Sequence, residues 1–151
     1  METGKTIEVL NNLIEINSDR IEGYATASVE TDDASLKALF NKFKQTSEVC
    51  KSELINEVER LGGEPNKGTR ITGKFFRAWM DVKAALTGNN KKLILESCEY
   101  GEDVIKHTYE KTLANHSEDL TLEQESLVRG QYILLKAEHD EVKSMRDTVA
   151  L

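Results

Sequence analysis

One proline and nine glycines are all that this 151-residue chain has to interrupt a helix. With so few stops, long helices are expected. No apolar run approaches the roughly 20 residues that span a bilayer, and the opening stretch METGKTIEVL lacks the apolar core of a signal peptide. No basic block occurs either, and the formal charge is -7. Nucleic acid and anionic membranes both need a clustered basic face, so neither is an expected partner. Cysteine is limited to Cys50 and Cys98. Such sparse use fits a reducing compartment and buried free thiols, so a cytoplasmic location is expected.

What is present is a soluble globular mix, 38% hydrophobic and 31% charged. The length fits one domain over residues 1–151 with a sizeable core. Apolar residues recur in threes and fours. Ile7, Leu10, Ile14, Asn17, Ile21, Tyr24 and Ser28, widened by Leu13, mark a first helix over 5–31. Asp33 is a suitable N-cap for a second helix over 34–61, whose stripe is Leu36, Phe40, Phe43, Ser47, Cys50, Leu54, Glu57 and Leu61. Gly62, Gly63 and Pro65 stop it. After the loop EPNKGTRITG comes a shorter helix, 74–87, with Phe75, Phe76, Trp79 and Met80 clustered on it. Those four side chains either cover the bundle or lie at a subunit interface.

A third long helix, 90–114, carries Leu95, Cys98, Glu102, Ile105, Tyr109 and Thr112. Thr121 and Gln124 form a capping box that opens a fourth, with stripe Leu127, Gln131, Leu134, Glu138, Val142, Met145 and Val149. Links within the first and last pairs are short, so each pair is expected to be antiparallel. The segment between the second and third long helices is long enough to run back along a whole edge. The expected fold is therefore all-α, a ferritin-like four-helix bundle with a long helical crossover. The alternative is an up-and-down bundle with the short helix capping one end.

Several separated stretches, LNNLIEINSDRIEGY (10–24), LGGEPNKGT (61–69), RAWMDVKAALTG (77–88), ILESCEYGED (94–103) and EHDEVKSMRD (138–147), resemble an uncharacterised bacterial family, domain of unknown function 2383. The resemblance implies the ferritin-like superfamily and its bundle. It implies no activity, and the superfamily suggests a stress-related setting.

Ferritin-like di-iron sites take a Glu from each of two helices and a Glu-x-x-His pair from each of the other two. No such pair exists here: Lys136, Val104 and Leu113 precede His139, His107 and His116 by three. Glu138 and His139 are adjacent, so they diverge by about 100° around the helix and cannot chelate as an i, i+3 pair. What remains is a degenerate, carboxylate-rich set for a hard cation, either iron or another divalent ion. Its candidate metal ligands are Glu22, Glu102, Gln131, Glu138 and His139. The competing reading makes the polar stripe residues register-fixing contacts, with His139 oriented by a hydrogen bond.

No catalytic or cofactor-binding residue stands out. GTRITGK lacks P-loop spacing, and neither cysteine has a basic residue placed to favour a thiolate: Lys51 follows Cys50 but points to a different face. The expected function is a non-catalytic bundle acting through self-association, most simply as a dimer, or through protein contacts, with no cofactor. The alternative is an iron-binding protein.

Overall fold

The computed structural model describes residues 3–66, 73–88 and 90–149, with side chains described from Met80 onward in the second stretch. It is all-helical, and the described residues contain no strand. The elements are α1 (Thr3–Glu30), α2 (Ala34–Arg60), α3 (Gly73–Gly88), α4 (Lys91–Asn115) and α5 (Leu122–Val149), with a 3₁₀ turn, Ser117–Asp119, before α5. Phe75, Phe76 and Trp79 lie outside the described side chains, and Met80 is exposed.

The helix ends follow local chemistry. Asp33 caps α2 by accepting from the backbone N–H groups of Ser35 and Leu36. Gly62, at φ 81°, takes the left-handed turn after α2. Thr121 and Gln124 close the capping box in both directions before α5. Gly63 also lies close to α1: an added Cβ would come 2.7 Å from Ile7 Cδ1, so the Ile7 side chain would have to shift.

Cross-helix contacts give the direction of each rod. Arg20 meets Phe43 and Ser47 while Gly63 meets Ile7, so α1 and α2 are antiparallel. Tyr132 meets Glu110 and Arg146 meets Glu99, so α4 and α5 are antiparallel. Asn17 meets Tyr109 and Arg20 meets Glu102, so α1 and α4 are antiparallel too. It follows that α2 and α4 run the same way. An up-and-down bundle would make α4 parallel to α1 and does not fit. The chain between α2 and α4 must travel back along the molecule, and α3, packed on α4 and against α1, is part of that return.

The interior holds two apolar clusters. One joins Leu10, Leu13 and Ile14 to Leu54, Val58, Ile105, Tyr109, Val128 and Leu135. The other joins Tyr24 and Ala27 to Leu36, Phe40, Phe43, Val82, Leu95, Cys98 and Val142. Each fully buried Leu, Ile or Phe contributes about 1.5–3 kcal/mol against the cost of ordering the chain.

Stripe assignments shift on three helices. On α2, Val58 is fully buried and Glu57 only half-buried. On α5, Leu134 is 53% exposed while Leu135 is fully buried; the interior seam runs Val128, Gln131, Leu135, Glu138, Val142. On α1, Ile21 is only half-buried and Arg20 takes the interior position.

Candidate functional site

Between the two apolar clusters each long helix contributes a polar side chain. These are Arg20 from α1, Ser47 from α2, Glu102 from α4 and Glu138 from α5, all buried. Arg20 is 1% exposed and heads the largest fully buried side chains. Residues three and four apart share a helix face, so Asn17, Arg20 and Tyr24 are presented together by α1. On α4, Glu102 and Tyr109 are a heptad apart; so are Gln131 and Glu138 on the antiparallel α5. The two helices therefore stack two polar layers, one charged and one neutral.

In the charged layer all five N–H donors of the Arg20 guanidinium are used. Nε donates to Glu102 Oε2 at 2.9 Å. One terminal nitrogen, Nη1, donates to the Phe43 carbonyl and to Ser47 Oγ, each at 3.0 Å. The other, Nη2, donates to Glu102 Oε1 at 2.7 Å and Glu138 Oε1 at 2.8 Å. The contact with Glu102 is the bidentate fork that suits guanidinium to carboxylate. Each carboxylate takes a further donor: Tyr24 donates to Glu102 Oε2 at 2.8 Å and Thr46 to Glu138 Oε2 at 2.6 Å. The Tyr24 and Phe43 rings lie 5.4 and 5.1 Å from the guanidinium carbon, within cation–π range. Burial works to lower the Arg20 pKa. The charge and hydrogen bonds of Glu102, with Tyr24 and Glu138, outweigh it and hold Arg20 above the ordinary arginine range.

The neutral layer is a hydrogen-bonded chain. Asn17 Nδ2 donates to Tyr109 Oη at 2.8 Å, which donates to Gln131 Oε1 at 2.7 Å. Gln131 Nε2 in turn donates to the Cys50 carbonyl and to Glu53.

Of the five candidate ligands, the structure brings Glu102 and Glu138 together, with Arg20 between them. Gln131 belongs to the neutral layer. His139 sits at the seam of α4 and α5, with Nε2 2.5 Å from Asp103 and Nδ1 3.0 Å from Asp140. Its ring is thus oriented by hydrogen bonds, one to α4 and one within α5. Glu22 is exposed on the outside of α1. Among the described residues, no three His, Cys, Asp or Glu side chains converge to hold a metal ion. The residues present do not fit a di-iron centre, because a guanidinium occupies the space between the two carboxylates.

Arg20 was the residue that stripe reading passed over. Its signal is positional: it lies one heptad after Leu13 and one before Ala27, both fully buried.

The layers offer little for catalysis. With all its donors taken, Arg20 has none left for an anionic ligand. Burial pushes the Tyr24 and Tyr109 hydroxyls well above the usual tyrosine range, with Glu102 and Cys50 respectively adding to it. Burial likewise raises the Cys98 thiol and pushes Cys50 up to about 12, so neither supplies a thiolate near neutrality. A cavity of about 350 Å³ lies elsewhere, where α1 begins and α4 ends, among Lys5, Asn12, Glu15, Asn66 and His116.

A family model, Domain of unknown function (DUF2383), matches residues 5–115. The chain belongs to the DUF2383 family. The DUF2383 match takes in Arg20, Ser47 and Glu102 and stops before α5, which supplies Glu138 and Gln131. No curated protein matches the chain significantly.

Proposed function

We propose that this DUF2383 protein is a single-domain, ferritin-like four-helix bundle of the cytoplasm that works through self-association, without a catalytic centre or resident metal. The topology supports the ferritin-like reading: two antiparallel hairpins joined by a long return segment, with α2 and α4 parallel. The observation that carries the non-catalytic reading is the Arg20 head, whose five donors are all spent on protein acceptors at the middle of the bundle. A group so fully bonded is a structural cation. In keeping with a reducing compartment, Cys50 and Cys98 are free and buried. Among the described residues no helix is long and apolar enough to cross a membrane.

Self-association draws on the outer side of the α2–α5 pair. Val49, Ile133 and Leu134 are 56%, 62% and 53% exposed. The contacts of Thr46 with Glu138 and of Gln131 with Cys50 place them at one level of the bundle. Light scattering across a concentration series tests the reading. The expected mass is twice the 17.0 kDa chain, falling to the monomer in Val49→Asp/Leu134→Asp. A wild-type monomer at every concentration removes self-association. Metal analysis of tag-free protein purified without chelator tests the other half; stoichiometric iron that is lost in Glu102→Ala reverses it.

A further inference from the structure

We infer that two copies of the chain meet about a two-fold axis, each laying α5 in parallel along the partner's α2. This arrangement rests on the proposed self-association and names which helix meets which. Both α2 and α5 bury one stripe of side chains, and each carries a second stripe on the outside of the bundle. The outer stripe of α5 is Glu123, Leu127, Gly130, Leu134, Ala137 and Glu141. That of α2 is Ala38, Lys42, Gln45, Val49, Ser52 and Asn56, with Arg60 one turn further on. All are exposed or half-buried. Steps of four and three fall in the same order on both helices, the pattern of a helix-to-helix seam.

Within one chain α2 and α5 are antiparallel: Lys42 meets Glu141, and Glu57 meets Gln124 at the other end. Val49 and Leu134 share the middle level. A two-fold axis through that level, normal to the face, turns the partner end over end and brings its α2 parallel to this α5. Leu134 then lies on the partner's Val49, with Gly130 over the partner's Gln45 and Ala137 over the partner's Ser52. Glycine inside a helix weakens it, and a Cβ at Gly130 would meet nothing within 4 Å. The described residues give no reason for a glycine there, whereas a second helix laid along it does.

Charge selects the pairing. The α5 stripe is acidic toward both ends, at Glu123 and Glu141, and the α2 stripe is basic toward both, at Lys42 and Arg60. In the parallel register each base lies one turn beyond an acid of the other copy: Lys42 beyond the partner's Glu123, and Arg60 beyond the partner's Glu141. Seating α5 on the partner's α5 with the stripes in step would instead set Glu123 against Glu141. Glu53, a further acid near this face, is held by Gln131 of its own chain. The face is also large enough. With 27 residues in α2, two helices side by side present roughly 40 Å by 20 Å, about the 800 Å² per partner of a standard interface.

The test is a charge-reversal cycle, with dimer dissociation constants measured by sedimentation. Within one chain Lys42 sits by Glu141 near the end of α5, whereas Glu123 is in its first turn, so only a partner brings Lys42 and Glu123 together. Lys42→Glu and Glu123→Lys should each weaken the dimer about tenfold, and the two combined should recover to within about threefold of the wild type. Disulfide trapping gives a second measure. Val49→Cys co-refolded with Leu134→Cys should link under mild oxidation, and Leu134→Cys by itself should not. A wild-type dimer whose double reversal stays as weak as the single variants, or whose Leu134→Cys variant links by itself, overturns the inference and leaves self-association standing. A wild type that is monomeric at every concentration removes both.

Discussion

The two polar layers are built on the same four helices, a heptad apart on α4 and α5, yet they solve the burial of polar groups differently. The charged layer takes Arg20, Glu102 and Glu138 out of water, which costs several kcal/mol per ion before their attraction returns it. The neutral layer buries an amide, a phenol and a second amide in series, each donating to the next. Breaking one link of the neutral chain leaves a dipole unpaired. Breaking the charged layer leaves a buried ion with unmet hydrogen bonds. Two layers at similar depth should therefore differ widely in sensitivity to substitution.

The largest effect is expected from Glu102→Ala. It removes both prongs of the bidentate fork and leaves Arg20 in the interior with Glu138 alone. A loss of about 3–5 kcal/mol follows from removing one partner of a buried ion cluster and leaving two guanidinium N–H groups without acceptors, read as a fall of roughly 10 °C in melting temperature. The charged layer is not for that reason a net stabiliser. Replacing all three members with apolar residues of similar volume, Arg20→Met/Glu102→Leu/Glu138→Leu, should come within about 1–2 kcal/mol of the wild type or exceed it. If the triple variant is instead as unstable as Glu102→Ala, the layer supplies stability outright and the contrast with the neutral layer fails.

Tyr109→Phe tests the neutral layer. It deletes the hydroxyl that links Asn17 to Gln131 and keeps the ring packed, so about 1–3 kcal/mol is expected from the two groups left unpaired. Denaturant midpoints measured beside Glu102→Ala give the ratio directly; equal losses would mean that charge adds nothing to the penalty. Asp33→Ala serves as an exposed yardstick. It removes the N-cap of α2, far from both layers, and should cost about 1 kcal/mol.

Much of this contrast can be read from the sequence, but not its centre. Leu95, Cys98, Glu102, Ile105, Tyr109 and Thr112 keep a strict three-and-four spacing, and all six are buried. The caps at Asp33 and Thr121 form as the local residue types dictate, because capping depends only on near neighbours in the chain. Arg20 is harder, because hydropathy places an arginine outside and Ile21 beside it completes a plausible stripe. What keeps Arg20 inside is a set of partners 23 to 118 residues away, and no local pattern encodes them. The α5 seam fails for a related reason. Leu134 and Leu135 are adjacent and equally apolar, and only contact with the neighbouring helices decides which one turns inward.

The smallest effect lies at the rim of the charged layer. Asp140 hydrogen-bonds Lys136 and His139, and these hold its carboxyl down at about 2. A carboxyl depressed on folding contributes stability above its unfolded value, near 3.9, and loses it as pH falls through the folded value. Asp140 is half exposed, so solvent screening keeps the contribution to that of a surface pair, about 1–2 °C in melting temperature. Asp140→Asn should therefore melt slightly below the wild type from pH 5 to 7. The two curves should converge as pH drops from about 4 to about 2. Glu102→Ala should keep its deficit down to pH 4, because the guanidinium whose donors it leaves unmet does not titrate in that range. If the Asp140→Asn gap instead persists unchanged at pH 2, Asp140 acts through its packing on His139, and the rim belongs with the neutral contacts.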